Sequence, residues 1–331
     1  MREQGSSSLR ARVFVSRRVP ASVRAELESS FAIGLHDYET TPDRENLLSS
    51  VAGCEGVVTM LTDTVDAELL DAAGPNLRVV ANYAVGVDNV DIAAATRRGV
   101  VVANTPDVLT EATAEFTIAL LLGLARRVVE GDRRVRSQSP SEWAPTFMLG
   151  AGLAGRTLGV VGLGRIGTAV ARLAVALGMQ VVYTSRREKP DSPYERLELD
   201  ELLRAADVVT LHVPLTDATR HLVDRAALAV MPSHALLVNT ARGPIVDEDA
   251  LVDALRSGAI AGAALDVFER EPAVHPGLFA VDDVVLSPHL GSATVEAREA
   301  MGMLCVDALR AVLVERRTPP NALNPEALAG S

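Results

Sequence analysis

Lysine is almost absent from these 331 residues: it occurs once, at Lys189, so arginine supplies 31 of the 32 basic side chains. Schiff-base chemistry would have to use that single amine, which sits beside Pro190 in a polar stretch, and is set aside. Aromatic residues make up only 3% of the chain, too few for the stacking surface that single-stranded nucleic acid needs. Positive charge is also short. With 43 acidic against 32 basic residues the formal net charge is −11, the wrong sign for a protein that grips phosphate backbones. The two cysteines, Cys54 and Cys305, lie far apart and form neither a disulfide framework nor a CxxC pair. No HxxxH pair, GxSxG elbow or P-loop lysine is present, so no metal site is expected. The longest strongly apolar run, Phe116–Ala125, falls well short of the ~20 residues that span a bilayer. Met1–Arg12 is polar and unlike a signal peptide. A soluble, cytoplasmic protein without nucleic-acid or membrane partners is expected.

What the chain does have is apolar residues, 48% of the total, and a length that suggests about two domains at roughly 150 residues each. Residues 1–10 are expected to be a disordered lead-in. Strands are expected at Arg12–Ser16, Gly56–Leu61, Leu77–Asn82 and Gly99–Asn104, with helices over Pro20–Glu28 and Asp66–Ala73. An apolar helix follows over Phe116–Val129. The loop between Ser137 and Gly155, with Pro140, Trp143 and Pro145, is a candidate surface excursion or oligomer contact. A second series has strands at Arg156–Val161, Gln180–Tyr183, Val208–His212, Ala235–Asn239, Ala261–Leu265 and Val284–Ser287, then a helix over Val295–Val314. Strands alternating with helices at this spacing indicate parallel α/β architecture.

The sharpest motif is Val160-Val161-Gly162-Leu163-Gly164-Arg165-Ile166-Gly167, a GxGxxG set between a β-branched run and an alanine-rich helix. Gly162 would allow the tight turn, Gly164 would let a pyrophosphate approach the backbone, and Gly167 would pack helix on strand. The phosphate would sit on the free N–H groups of the helix start. An NAD site expects an acidic residue about 20 positions on, bonded to the ribose 2′-OH. Here the chain reads Tyr183-Thr184-Ser185-Arg186-Arg187. A hydroxyl and two guanidinium groups suit a 2′-phosphate, so NADP(H) is favoured, with NAD(H) possible. The plain alternative is two arginines that only solvate a loop. His212, in Leu211-His212-Val213-Pro214, is placed to line the cofactor edge.

Three further segments put functional groups at the C-terminal ends of strands, where open α/β sheets bind ligands. They are Asn239-Thr240-Ala241-Arg242-Gly243, Asp266-Val267-Phe268-Glu269-Arg270-Glu271 and Ser287-Pro288-His289-Leu290-Gly291. Arginine can clamp a carboxylate through two parallel hydrogen bonds and polarise the neighbouring carbonyl. Histidine can hand a proton to that carbonyl oxygen as hydride reaches its carbon. A glutamate beside the ring would orient it. Arg242, His289 and Glu271 are thus the candidate catalytic set. The alternative for Glu271 is an exposed loop charge paired with Arg270. The other histidines, His36, His221, His234 and His275, are expected to be surface or satisfied core groups.

These segments, with Val58–Asp63, Asn82–Asn89, Asn104–Thr113 and Trp143–Gly150, run nearly the whole length of the chain. Through them it resembles the D-isomer-specific 2-hydroxyacid dehydrogenases, and within that family the glyoxylate/hydroxypyruvate reductases. The resemblance implies two Rossmann/flavodoxin-like domains with doubly wound parallel sheets and an active site in the interdomain cleft. Residues 1–104, completed by 292–331, would be the substrate-binding domain, and 105–291 the dinucleotide-binding Rossmann domain. Asp266 would hold the nicotinamide carboxamide, and Thr113 would help seat the cofactor beside Thr240, Ala241 and Gly291. Backbone around Leu61, Val85 and Gly86 would cradle a small 2-keto or 2-hydroxy acid. The resemblance also implies a homodimer, with the loop around Trp143 reaching the partner's active-site region.

The expected reaction is NADPH-dependent reduction of glyoxylate and hydroxypyruvate. A broader reductase of 2-ketogluconate or phenylpyruvate type is the nearer alternative, and a dinucleotide-sensing corepressor or scaffold the remoter one. Glu271 argues against the formate-oxidising relatives, which carry glutamine there, and Ala84–Gly86 lacks the lysine of phosphite-oxidising ones. The chain's end at Ser331 leads us to expect no regulatory domain of the phosphoglycerate dehydrogenase kind. Asp107, where relatives often have glycine, is expected to be a loop variation of little consequence unless φ is positive there.

Overall fold

Valine runs set the skeleton of the computed structural model, which describes residues 10–139 and 142–328. The expected lead-in falls almost wholly outside these residues, as do Pro140 and Ser141 of the proline-containing loop. The chain divides into two units, Met1–Leu109 with Thr294–Ser331, and Thr110–Ala293. The division lies at 109/110 and 293/294, slightly beyond the expected 104/105 and 291/292, because the helix that opens the second unit starts at Thr110.

In the first unit the order is β1 (Arg12–Val15), α1 (Ala21–Ser30), β2 (Ala32–Leu35), α2 (Arg44–Val51), β3 (Gly56–Thr59), α3 (Ala67–Ala73), β4 (Val79–Asn82), α4 (Ile92–Arg97) and β5 (Val101–Ala103). The five strands are parallel in the order β2-β1-β3-β4-β5, a flavodoxin-type arrangement. β3, β4 and β5 are buried at every position, as central parallel strands covered on both faces should be. The sequence reading missed β2, α2 and α4. β2 is an edge strand, alternately exposed and interrupted by Gly34, and α2 is mostly polar. The chain returns with the helix Val295–Leu313, packed against α1 and β4. Its approach is close, since a Cβ at Gly302 would lie 2.4 Å from Val23 Cγ2. Beyond it Asn324 is stitched to β5: its Oδ1 accepts from Val102 N at 2.7 Å and its Nδ2 donates to Val100 O at 2.9 Å.

A buried ion pair fixes the turn after β3. Arg17 Nη2 lies 3.0 Å from Asp63 Oδ1, with side-chain exposures of 9% and 0%. Asp63 also accepts from the Ser16 hydroxyl and from Met60 N. Asn89 Nδ2 donates to the carbonyls of Met60 and Asp63.

The second unit runs α5 (Thr110–Ala125), α6 (Val128–Arg136), β6 (Thr157–Val161), α7 (Arg165–Ala176), β7 (Gln180–Thr184), β8 (Glu195–Arg196), α8 (Leu199–Ala205), β9 (Val208–Leu211), α9 (Arg225–Val230), β10 (Leu236–Asn239), α10 (Glu248–Ser257), β11 (Gly262–Leu265) and β12 (Val284–Leu286). Its seven strands are parallel in the order β12-β11-β10-β9-β6-β7-β8, the doubly wound Rossmann order with one strand added. The helix expected over Phe116–Val129 is corrected: α5 begins six residues earlier at Thr110 and stops at Ala125. Ala151 N donates to the Ala125 carbonyl at 2.7 Å, and Arg127 takes a left-handed φ of 53° that starts α6 afresh. The two-residue strand β8 was too short for any period to reveal. Asp107 has a φ of 71°, so the position left to loop variation puts aspartate in a region where glycine is easier. Among the described residues no helix is long and apolar enough to cross a membrane.

Arg17→Ala would leave Asp63 buried without its partner. The expected loss of unfolding free energy is about 3–5 kcal/mol in urea titrations followed by circular dichroism. A loss below about 1 kcal/mol would contradict the role given to this pair.

Candidate active site

In the second unit the chain leaves β6 for β7 on one side and later places β9 on the other side of β6. That reversal opens a crevice at the carboxyl ends of the strands. The glycine turn sits there. Gly162 has a φ of +101°, and a Cβ on it would lie 2.6 Å from the His212 carbonyl oxygen and 2.8 Å from Val213 Cγ1. Gly167 is equally confined: its Cβ would lie 2.2 Å from Gly162 O. Gly164 differs, because nothing lies within 4 Å of its Cβ direction. It is the N-cap of α7 and gives that helix no side-chain cap. Five other helices begin with an aspartate that takes up one of these orphan amides: Asp43, Asp66, Asp91, Asp224 and Asp247. At α7 no side chain takes this place, as at α1 and α6, and the side of Gly164 is open, which leaves room for an anion to approach the first-turn amides. Leu163 is buried, Ile166 partly so, and Arg165 is exposed on the first turn.

Ser185, Arg186 and Arg187 follow β7 directly. Both arginines are exposed, and the Ser185 hydroxyl donates to the Arg187 carbonyl, folding the segment back on itself. Arg196 on β8 donates to Ser185 O and to Glu198. On the other side of β6, His212 Nε2 lies 2.9 Å from Thr210 Oγ1. Desolvation pushes the His212 imidazole down to about 3, so this ring stays neutral. Pro214 beyond it is exposed.

The three charged segments follow the adjacent parallel strands β10, β11 and β12, in register Asn239↔Leu265 and Leu265↔Leu286. Their side chains therefore emerge along one edge. His289 Nδ1 lies 2.9 Å from Glu271 Oε2, with both side chains about three-quarters buried at 23% and 22% exposure. Glu271 Oε1 accepts from Phe268 N at 2.9 Å. Glu271 is thus paired with His289 rather than with Arg270. His289 has a left-handed φ of 57° and is held there from below. Its N–H donates to Asp266 O at 2.8 Å, while Leu290 N and Gly291 N donate to the two Asp266 carboxylate oxygens at 2.7 and 2.8 Å. Burial pushes the Asp266 carboxyl above its ordinary range, and those backbone bonds oppose the shift. Arg242 leaves β10 in extended conformation, its carbonyl accepting from Asn239 Nδ2 at 2.9 Å and its Nη1 donating to Ala241 O at 2.8 Å. Ala241 N donates to Asn239 Oδ1. Thr240 Oγ1 lies 2.8 Å from Thr117 Oγ1. Thr113 packs beside Gly291, its Cγ2 3.4 Å from where a Cβ there would stand.

These contacts tie together Glu271, His289, Asp266, Thr113 and Gly291, and the neighbouring strand end carries Thr240, Ala241 and Arg242. Leu61, Val85 and Gly86 belong to the first unit, all partly exposed after β3 and β4. There Asn104 Nδ2 donates to Val85 O at 2.9 Å and Asn82 Nδ2 to Gly86 O at 3.0 Å. The remaining histidines are satisfied at the surface: His36 by Thr40 O, His221 by Glu269, His234 by Asp207 and His275 by Asp249. Sequence reasoning missed the braces Asn239, Gly243 and Glu248. The first two lie inside a segment singled out for its arginine, and Asp247-Glu248 reads as an ordinary acidic helix start.

Residues 118–291 match the family described as D-isomer specific 2-hydroxyacid dehydrogenase, NAD binding domain. Over 331 residues the chain is 45% identical to the glyoxylate reductase of Thermococcus litoralis, covering 98% of this chain and 99% of that one. Among solved structures, a Thermus thermophilus protein superposes with a TM-score of 0.89 at 47% identity, covering 94% of this chain and 99% of its own. The NADPH-dependent glyoxylate/hydroxypyruvate reductase of Sinorhizobium meliloti, solved with NADP and malonate, gives 0.83 at 34% identity over 96% and 98%.

The two glycines should separate stability from binding. Gly164→Ala is expected to melt within about 2 °C of the parent yet bind nicotinamide dinucleotide at least about tenfold more weakly by fluorescence titration. Gly167→Ala is expected to lose about 1–3 kcal/mol of stability from overpacking. Unaltered affinity in Gly164→Ala would move the pyrophosphate elsewhere.

Proposed function

The chain belongs to the D-isomer specific 2-hydroxyacid dehydrogenase family, and from that premise we propose that it reduces glyoxylate and hydroxypyruvate to glycolate and D-glycerate with NADPH, His289 giving the proton. It is an NAD(P)-dependent D-2-hydroxyacid dehydrogenase. The substrate proposal is supported by full-length relatives that are glyoxylate reductases and by a structural relative that is an NADPH-dependent glyoxylate/hydroxypyruvate reductase.

The observation that carries the mechanism is the 2.9 Å contact between His289 Nδ1 and Glu271 Oε2. A ring bonded through Nδ1 presents Nε2 to the substrate side, and the carboxylate holds both its plane and its tautomer. His289 as imidazolium donates the Nε2 proton to the keto oxygen, and Glu271 stabilises the charge before transfer. Arg242 holds the substrate carboxylate in a two-point clamp and polarises the adjacent carbonyl. The dinucleotide, when bound, supplies the hydride. It would be held by Gly162–Gly167, by His212, Val213 and Pro214, and by Thr113, Thr240, Ala241, Asp266 and Gly291, with Ser185, Arg186 and Arg187 on its 2′-phosphate. The second unit would form this cofactor domain and the first the substrate domain, where backbone around Leu61, Val85 and Gly86 receives the acid. The exposed apolar residues Val128, Val135, Trp143 and Leu149 support a homodimer formed through this stretch.

His289→Gln is expected to cut kcat by ~10²-fold or more with NADPH affinity nearly intact. Near-normal turnover would reject the assignment. Arg186→Asp should raise KM for NADPH far more than for NADH, and an unchanged ratio would remove the 2′-phosphate role. A kcat/KM panel over glyoxylate, hydroxypyruvate, 2-ketogluconate and phenylpyruvate tests the substrate. Preference for either bulky acid would replace the glyoxylate reading with that of a broader 2-ketoacid reductase.

A further inference from the structure

Next to the His289–Glu271 pair lies a carboxylate that proton transfer does not use. Glu248, the first residue of α10, is buried to 5% exposure. It does not cap its own helix, because Asp247 already accepts from Ala250 N. Burial is unfavourable for a carboxylate, and desolvation raises its carboxyl above the ordinary range. The neighbouring Glu269 charge adds to that shift, while His275, Arg270 and the Glu269 backbone bond oppose it. The compensating contact is specific: Glu248 Oε1 accepts from Glu269 N at 2.7 Å.

The peptide gripped in this way is the one that leads to the catalytic loop. Phe268 N, one residue earlier, donates to Glu271 Oε1, and Glu271 Oε2 meets His289. The same Phe268–Glu269 peptide also lies close against Gly243, the residue after Arg242. A Cβ there would stand 1.9 Å from Phe268 C and 2.4 Å from Glu269 N. The Arg242 turn and the Glu271 loop thus meet across one peptide, with no room for a side chain between them. Glu269's own carboxylate turns away to His221 Nε2 at 2.7 Å.

We infer that Glu248 is a positioning residue for the reaction: by clamping the Phe268–Glu269 peptide against Gly243 it sets Glu271 against His289 and keeps Arg242 in step with both. This rests on the reading of His289 as proton donor and Glu271 as its orienting partner. What the clamp needs is a buried hydrogen-bond acceptor at the reach of a glutamyl side chain, not a negative charge.

The test compares Glu248→Gln, Glu248→Ala and Glu248→Asp, with His289→Gln as reference, reading kcat, KM for glyoxylate and for NADPH, and the pH dependence of kcat/KM. Glutamine keeps the acceptor at the same reach and should stay within about threefold of the parent kcat. Alanine loses the acceptor and aspartate withdraws it. Both should lower kcat at least about tenfold, displace the pH profile and leave KM for NADPH unchanged. If the alanine variant does not fold, the aspartate variant decides alone. Parent-like kcat and pH profile in Ala and Asp, with His289→Gln inactive, would overturn the clamp and leave the proton-donor reading standing. A glutamine variant as impaired as alanine would also overturn it, since charge rather than the bond would then be at work. An active His289→Gln would overturn both.

Discussion

The candidate catalytic geometry hangs on one buried carboxylate. Asp266 closes β11 and is 1% exposed, and its two oxygens take the amides of Leu290 and Gly291 while its carbonyl takes that of His289. Those three bonds hold His289 in the left-handed region, which a non-glycine residue keeps only when its surroundings impose it. The turn aims the ring at Glu271, and Glu271 is in turn tied to Phe268. Strand, turn, ring and carboxylate therefore form one hydrogen-bonded chain that begins in the sheet. A side chain on a loop gains its precision from such a rigid neighbour, not from the loop itself.

The open helix start at the glycine turn is made by omission. Aspartates take a first-turn amide at α2, α3, α4, α9 and α10. At α7 glycine takes the cap position and offers no oxygen. The three glycines of the motif serve different ends: Gly162 and Gly167 are pressed by backbone on the protein side, whereas the side of Gly164 is open.

Much of this was legible in the sequence because it is carried by local pattern. Buried valine runs mark the central strands, GxGxxG marks the turn, and strand-end positions mark Arg242, Glu271 and His289. What escaped notice depends on contacts distant in sequence or on elements too weak in pattern. β2 and α2 lack a full apolar face, β8 is two residues long, and the break at Arg127 is set by Ala151 returning to the end of α5. Glu248 stands second to Asp247 at a helix start and carries no local signal, and only the fold shows the amide it holds, 21 positions downstream. Asp107 was recognisable as a departure from glycine, but its positive φ belongs to the backbone and not to the residue type.

The stitching of Asn324 to β5 has a consequence for biosynthesis. The first sheet is encoded before residue 110, yet the helix Val295–Leu313 that covers β4 and the asparagine that pairs with β5 are translated almost two hundred codons later. A nascent chain on the ribosome must carry that sheet with a bare apolar flank while the inserted unit is made and folds. The earliest-synthesised unit is thus completed last, and the interval between is when holding chaperones have a surface to grip.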